Sequence, residues 1–117
     1  MNTISKEFTL SQLELLSILD AFGEPVSIDI LGALLPLSPN QLFDQIAYCG
    51  KAGVIEHKED RTVSLVFNIS EAIRTKLKDI NSVSRLSDLY HQLDRMNLLE
   101  RLETTSLIRL LSGARED

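Results

Sequence analysis

At Gly53 the spacing of apolar residues changes from helical to alternating, and this switch restricts the fold more than any other feature of the sequence. Before it, three segments carry helical spacing and good start and stop signals. The first is read as a helix over residues 11–22. Ser11 and Glu14 fit a capping box, Leu10 and Leu15 fit a hydrophobic staple, and Leu15, Ile18, Leu19 and Phe22 share one stripe. Gly23 is its stop and Pro25 blocks continuation. The second covers residues 27–35, where Ile28, Ile30, Leu31, Leu34 and Leu35 leave little polar surface. The third, residues 38–52, has the strongest start in the chain. Ser38 is the N-cap, Pro39 takes the first helical position, Gln41 completes the box, and Leu37 faces Leu42.

After Gly53 the reading is a hairpin over residues 54–68. Val54–Lys58 is short and extended, and Glu59, Asp60 and Arg61 form a charged turn. In Thr62–Asn68, Val63, Leu65 and Phe67 fall on one side. Helices follow at about 70–79 and 82–103, the latter with Leu86, Leu89, Leu93 and Met96 at heptad-like steps. A short helix over 105–111 precedes a polar tail.

Three helices and a hairpin within about sixty residues are the arrangement of a winged helix-turn-helix. The fold class expected is therefore mainly α with a small β-hairpin, completed by C-terminal helices. Residues 1–8 form an N-terminal arm, 9–69 the winged-helix core, 70–112 the C-terminal helices and 113–117 a tail. Leu19, Phe22, Leu31, Leu34, Leu42, Ile46, Ile55 and Phe67 are the expected core. The sequence contains no secretory leader pattern and no apolar run suited to a membrane, and its single Cys49 rules out an internal disulfide. A cytoplasmic setting without membrane association is expected.

The stretch Leu15–Leu31, with Gly23-Glu24-Pro25-Val26-Ser27 at its centre, resembles the first helices of one winged-helix subgroup. This is the domain that follows the ATPase core in signal-transduction ATPases, including the large bacterial LuxR-type activators. The run Leu42–Ile55 is similar to that family's third helix and strand. Val66–Ile73 and Leu89-Tyr90-His91-Gln92-Leu93 resemble the elements that lead into its helical repeats. The resemblance spans residues 10 to 103 and rests on apolar positions and turns, without a catalytic signature. These 117 residues include no ATPase core, no terminal DNA-binding domain and no full repeat array. The resemblance implies a regulatory module that works through protein contacts.

A DNA-reading third helix needs donors on its exposed face. The wheel places Leu42, Phe43, Ile46, Ala47, Cys49 and Gly50 inside. Asn40, Gln41, Asp44, Gln45, Tyr48 and Lys51 are placed outside. Asn40, Gln41, Gln45, Tyr48 and Lys51, with Lys58 and Arg61 of the wing, are the candidate DNA contacts. Phosphate anchors are scarce, because residues 1–69 carry four cations (Lys6, Lys51, Lys58, Arg61) against nine anions. That imbalance accounts for the whole net charge of -5. The leading expectation is a non-enzymatic module acting on a protein partner or neighbouring domain. A small DNA-binding transcription regulator is the alternative.

No catalytic, metal or cofactor site is expected. Gly50-Lys51 lacks the partner residues of a phosphate loop. Cys49 falls on an apolar arc, and neither His57 nor His91 has neighbours for a triad or a metal site. The second signal is the long helix over 82–103. Its stripe of Leu86, Leu89, Leu93 and Met96, extended by Leu99 and Leu102, must cover something. It can fold back on the core or pair with the same helix of another copy. A helix of that length exceeds a small core, so a homodimer or a docked neighbouring domain is expected.

Overall fold

A computed structural model describes residues 8–58 and 60–115, without the side chains of 113–115. Residues 1–7 of the expected arm, Glu59 of the expected hairpin turn and residues 116 and 117 of the expected tail lie outside the described residues. Among the described residues, six α-helices and a three-stranded antiparallel sheet follow in the order α1 (Leu10–Phe22), β1 (Val26–Ser27), α2 (Ile28–Leu34), α3 (Pro39–Lys51), β2 (Ile55–His57), β3 (Thr62–Leu65), α4 (Glu71–Ile80), α5 (Val83–Arg95) and α6 (Thr104–Arg115). The protein is mainly helical. No described helix is long and apolar enough to cross a membrane.

The first helix is capped two residues earlier than its sequence suggests. Thr9 is the N-cap, and the box closes with Gln12, whose side chain accepts the Thr9 N–H at 2.9 Å. Both Thr9/Gln12 and Ser11/Glu14 satisfy the pattern. The earlier start makes Phe8 and Leu13 the flanking apolar pair, and both pack against the core. The expected Leu10–Leu15 staple is absent, since Leu10 is 71% exposed. Helix α1 ends as anticipated, with Gly23 left-handed at φ 70.

Helix α1 is the centre of the molecule. Leu15, Leu16, Ser17, Ile18 and Leu19 are all buried in succession. A helix apolar on every side has to be enclosed. Here α3 and β3 pack against α1, as do α4 and α6. Of its two buried polar residues, Gln12 closes the cap with Thr9, and Ser17 is satisfied as well: its hydroxyl donates to the Glu14 carbonyl at 2.8 Å and accepts from Arg85 Nη2 at 3.2 Å.

Strand β1 is an element the sequence reading did not contain. Its two residues pair with the middle strand, Val26 opposite Val63 and Ser27 opposite Thr62, giving the order β1-β3-β2. A strand this short has no periodicity of its own. The sheet side of the core is Val26, Ile55 and fully buried Val63. Phe67 is a correction: β3 stops at Leu65, a turn follows, and the Phe67 side chain is 92% exposed.

The larger correction concerns residues 82–103. Helix α5 ends at Arg95, and Asn97 adopts a left-handed conformation at φ 57. The Leu98 N–H reaches the Leu93 carbonyl at 2.9 Å and the Asn97 N–H reaches that of Asp94 at 3.0 Å. This is the Schellman stop. The same two bonds close α3, from Val54 to Cys49 and from Gly53 to Gly50. After a 3₁₀ turn at Leu99–Arg101, α6 packs along α5. Leu89, Leu93 and Leu110 thereby join Leu77 and the α1 residues in one core.

Helix α6 also closes the end of α1. The Ser106 hydroxyl donates to the Phe22 carbonyl at 3.1 Å. Arg109 donates from Nε to the Ala21 carbonyl at 3.3 Å and from Nη2 to that of Asp20 at 3.0 Å. Three of the four carbonyls that a helix leaves unpaired at its C-terminus are satisfied this way.

Candidate functional site

Helix α3 and the adjoining hairpin carry the residues that the sequence marks out. The start of α3 is as read. The Ser38 hydroxyl accepts the Gln41 N–H at 3.2 Å and the Gln41 side chain accepts the Ser38 N–H at 2.9 Å. Its inward face is narrower than the wheel suggested. Leu42, Ile46 and Cys49 are buried, at steps of four and three, while Phe43, Ala47 and Gly50 are exposed. Three buried residues hold the helix against α1, leaving Phe43 100° away from Leu42 and 46% exposed.

Three of the seven DNA candidates, Gln41, Lys58 and Arg61, have polar partners within the chain. The Gln41 amide oxygen is held by its cap. Gln45 is half-buried and its Oε1 is enclosed without a partner among the described residues. The Tyr48 ring meets Phe8 edge-on at 6.1 Å. In the hairpin, Lys58 pairs with Glu56 at 3.1 Å. Arg61, left-handed at φ 62, pairs with Asp29 at 3.6 Å, and its carbonyl receives the Ile28 N–H at 3.0 Å. The side chains of Asn40 and Lys51 are exposed and make no hydrogen bond or ion pair among the described residues. The outward residues of α3 include Asn40, Gln41, Phe43, Asp44, Ala47, Tyr48, Gly50 and Lys51: two aromatic rings, two amides, two small residues and one charge of each sign.

The stripe assigned to self-association has a different place. Leu89 and Leu93 are buried within the chain; Leu86, Leu99 and Leu102 are half-buried against the same core, and Met96 is 36% exposed. The stop at Asn97 removes the excess helix length on which that assignment rested.

No family model, curated protein or solved structure matches this chain.

The remaining reactive side chains are scattered. Burial pushes the Cys49 thiol up to about 11, so it is protonated at neutral pH. His57 lies on an edge strand, and His91 is exposed with its ring 5.6 Å from that of Tyr90. Among the described residues no three His, Cys, Asp or Glu side chains come together. Two open clefts of about 400 and 530 Å³ adjoin at the C-terminal end of α1 and share Asp20 and Arg109. Both carboxylate and cation there are engaged: Asp20 pairs with Arg74 at 3.7 Å, and Arg109 caps α1.

Proposed function

We propose that the chain is a winged-helix module of a regulatory or signalling protein and acts through protein contacts, without catalysis. Support for the winged helix comes from β1, which lies between α1 and α2 and joins the hairpin through β3. That pairing ties the wing to α2 and α3 as one unit. The resemblance to the domain that follows the ATPase core in signal-transduction ATPases fits such a role. The buried free thiol of Cys49 suits a reducing cytoplasm.

The observation that carries protein contact over DNA is the outer face of α3. Phosphate neutralisation by Lys and Arg supplies most duplex affinity. This face offers Lys51 alone and carries Asp44 two turns away, while both hairpin cations, Lys58 and Arg61, already lie against carboxylates. Exposed aromatic side chains such as Phe43 and Tyr48 are enriched at protein interfaces. A gel-shift titration with mixed-sequence duplex, at low and at physiological salt, tests the reading. The expected affinity at physiological salt is no better than about 10⁻⁴ M, the weak non-specific range. A submicromolar, sequence-dependent complex would instead make the chain a small DNA-binding regulator.

A further inference from the structure

The outer face of α3 is complementary to itself. Asn40, Asp44, Ala47 and Lys51 follow one another at steps of four, three and four, which sets them on one line along the helix. Asp44 and Lys51 are seven residues apart, about 10.5 Å at 1.5 Å per residue. Neither makes an ion pair among the described residues. Turn a second copy of α3 antiparallel about a two-fold axis between Ala47 and Tyr48. Asp44 of each copy then faces Lys51 of the other, twice over. Small Ala47 lies at the crossing, where a large side chain would hold the helices apart. Phe43, 46% exposed, and Tyr48, 40% exposed, flank the line on either side. Tyr48 is braced by Phe8, and Leu10, two residues further on, is 71% exposed.

We propose that α3 pairs antiparallel with α3 of a second copy, with reciprocal Asp44–Lys51 contacts and the rings of Phe43 and Tyr48 closing the sides. This rests on the protein-contact reading above and names the partner. It also moves self-association from α5, whose Leu89 and Leu93 are buried within the chain, to α3. An isologous contact of this kind is the commonest route to a closed dimer. One face of a 13-residue helix is smaller than the roughly 800 Å² per partner of a standard interface. The expected product is a reversible dimer with Kd about 10⁻⁵ to 10⁻⁴ M. The charges set register and orientation more than affinity.

The test is sedimentation equilibrium of the full chain and of Asp44→Lys and Lys51→Asp, separately and mixed. Both positions are exposed, so the fold is retained, which circular dichroism verifies. Wild type should dimerise in the stated range. Each single reversal sets like charges opposite one another twice and should weaken pairing by about tenfold or more. An equimolar mixture restores both opposite-charge contacts and should recover dimer to within about threefold of wild type. Ala47→Arg, which adds bulk at the crossing, should abolish pairing. A wild type that stays monomeric to about 1 mM overturns the proposal. So do reversals that pair like wild type, or a mixture that gains nothing. A monomeric chain that ignores duplex DNA ends the self-pairing alone, whereas duplex binding ends the protein-contact reading itself.

Discussion

Replacing Gly23 by Ala is expected to damage two contacts at once, and the structure separates them. Gly23 sits at φ 70, ψ 8, a left-handed conformation that costs an alanine about 1 kcal/mol. The added Cβ would also collide with the Arg109 side chain, meeting its Nε and coming within 2.8 Å of Cδ and Cζ. The guanidinium would have to leave the carbonyls of Asp20 and Ala21. Hydrogen bonds from a charged donor contribute about 1.5–3 kcal/mol where water is excluded. Arg109 is exposed and the freed carbonyls regain water, so about 1 kcal/mol is a fair value for the pair of bonds. Gly23→Ala should therefore cost about 2 kcal/mol and Arg109→Ala about 1 kcal/mol. In the Arg109→Ala background, Gly23→Ala should cost only the backbone share of about 1 kcal/mol. Urea denaturation followed by circular dichroism measures all three. Equal cost of Gly23→Ala in both backgrounds would refute the contact between α6 and the end of α1.

Three further outcomes follow from the same structure. Ser38→Ala should lower stability by about 1 kcal/mol through the lost cap of α3, and an unchanged denaturation midpoint would contradict the capping box. Leu93→Ala should cost about 2–5 kcal/mol, because Leu93 is fully buried; a loss below about 1 kcal/mol would mean that α5 does not pack on the core as described. Cys49 should be inert to thiol reagents at pH 8 in the native chain. Its folded pKa is raised from 9.0 to about 11, so the native state prefers the neutral thiol. That contribution is complete below pH 9 and is lost as pH rises from about 9 to about 11. Its size is at most about 2–3 kcal/mol. Comparison of the pH–stability profile with that of Cys49→Ala isolates it, and identical alkaline slopes would contradict the shift.

Local signals in the sequence were readable wherever one residue decided the backbone. Ser38, Pro39 and Gln41 define the start of α3, and Gly23 and Gly53 are both left-handed stops. What escaped was decided at a distance or between two equal local options. Strand β1 exists because Val63 lies opposite Val26. Thr9 prevails over Ser11 as the cap because the earlier start brings Phe8 against Tyr48, a contact across about forty residues of chain. The stop at Asn97 was present in the sequence but weak. Asn is the second-best residue for a left-handed cap after Gly, and Leu98 repeats the role that Val54 plays after Gly53. Reading through it as a heptad helix created the apparent excess of leucines. On α3, Phe43 and Ala47 are apolar yet lie outside. The phase is set instead by Leu42, Ile46 and Cys49, and only the position of α1 reveals which three apolar residues are used.

Amide chemical shifts of the ¹⁵N-labelled chain show whether α3 presents its outer face to protein. Spectra recorded on dilution from about 1 mM to about 10 µM span the range in which a contact of this size forms and releases. The amides of Asn40, Phe43, Asp44, Ala47, Tyr48 and Lys51 should move together along one binding curve, while those of α5 and α6 stay fixed. Amides of α3 that ignore protein concentration but shift when duplex DNA is added would contradict this expectation.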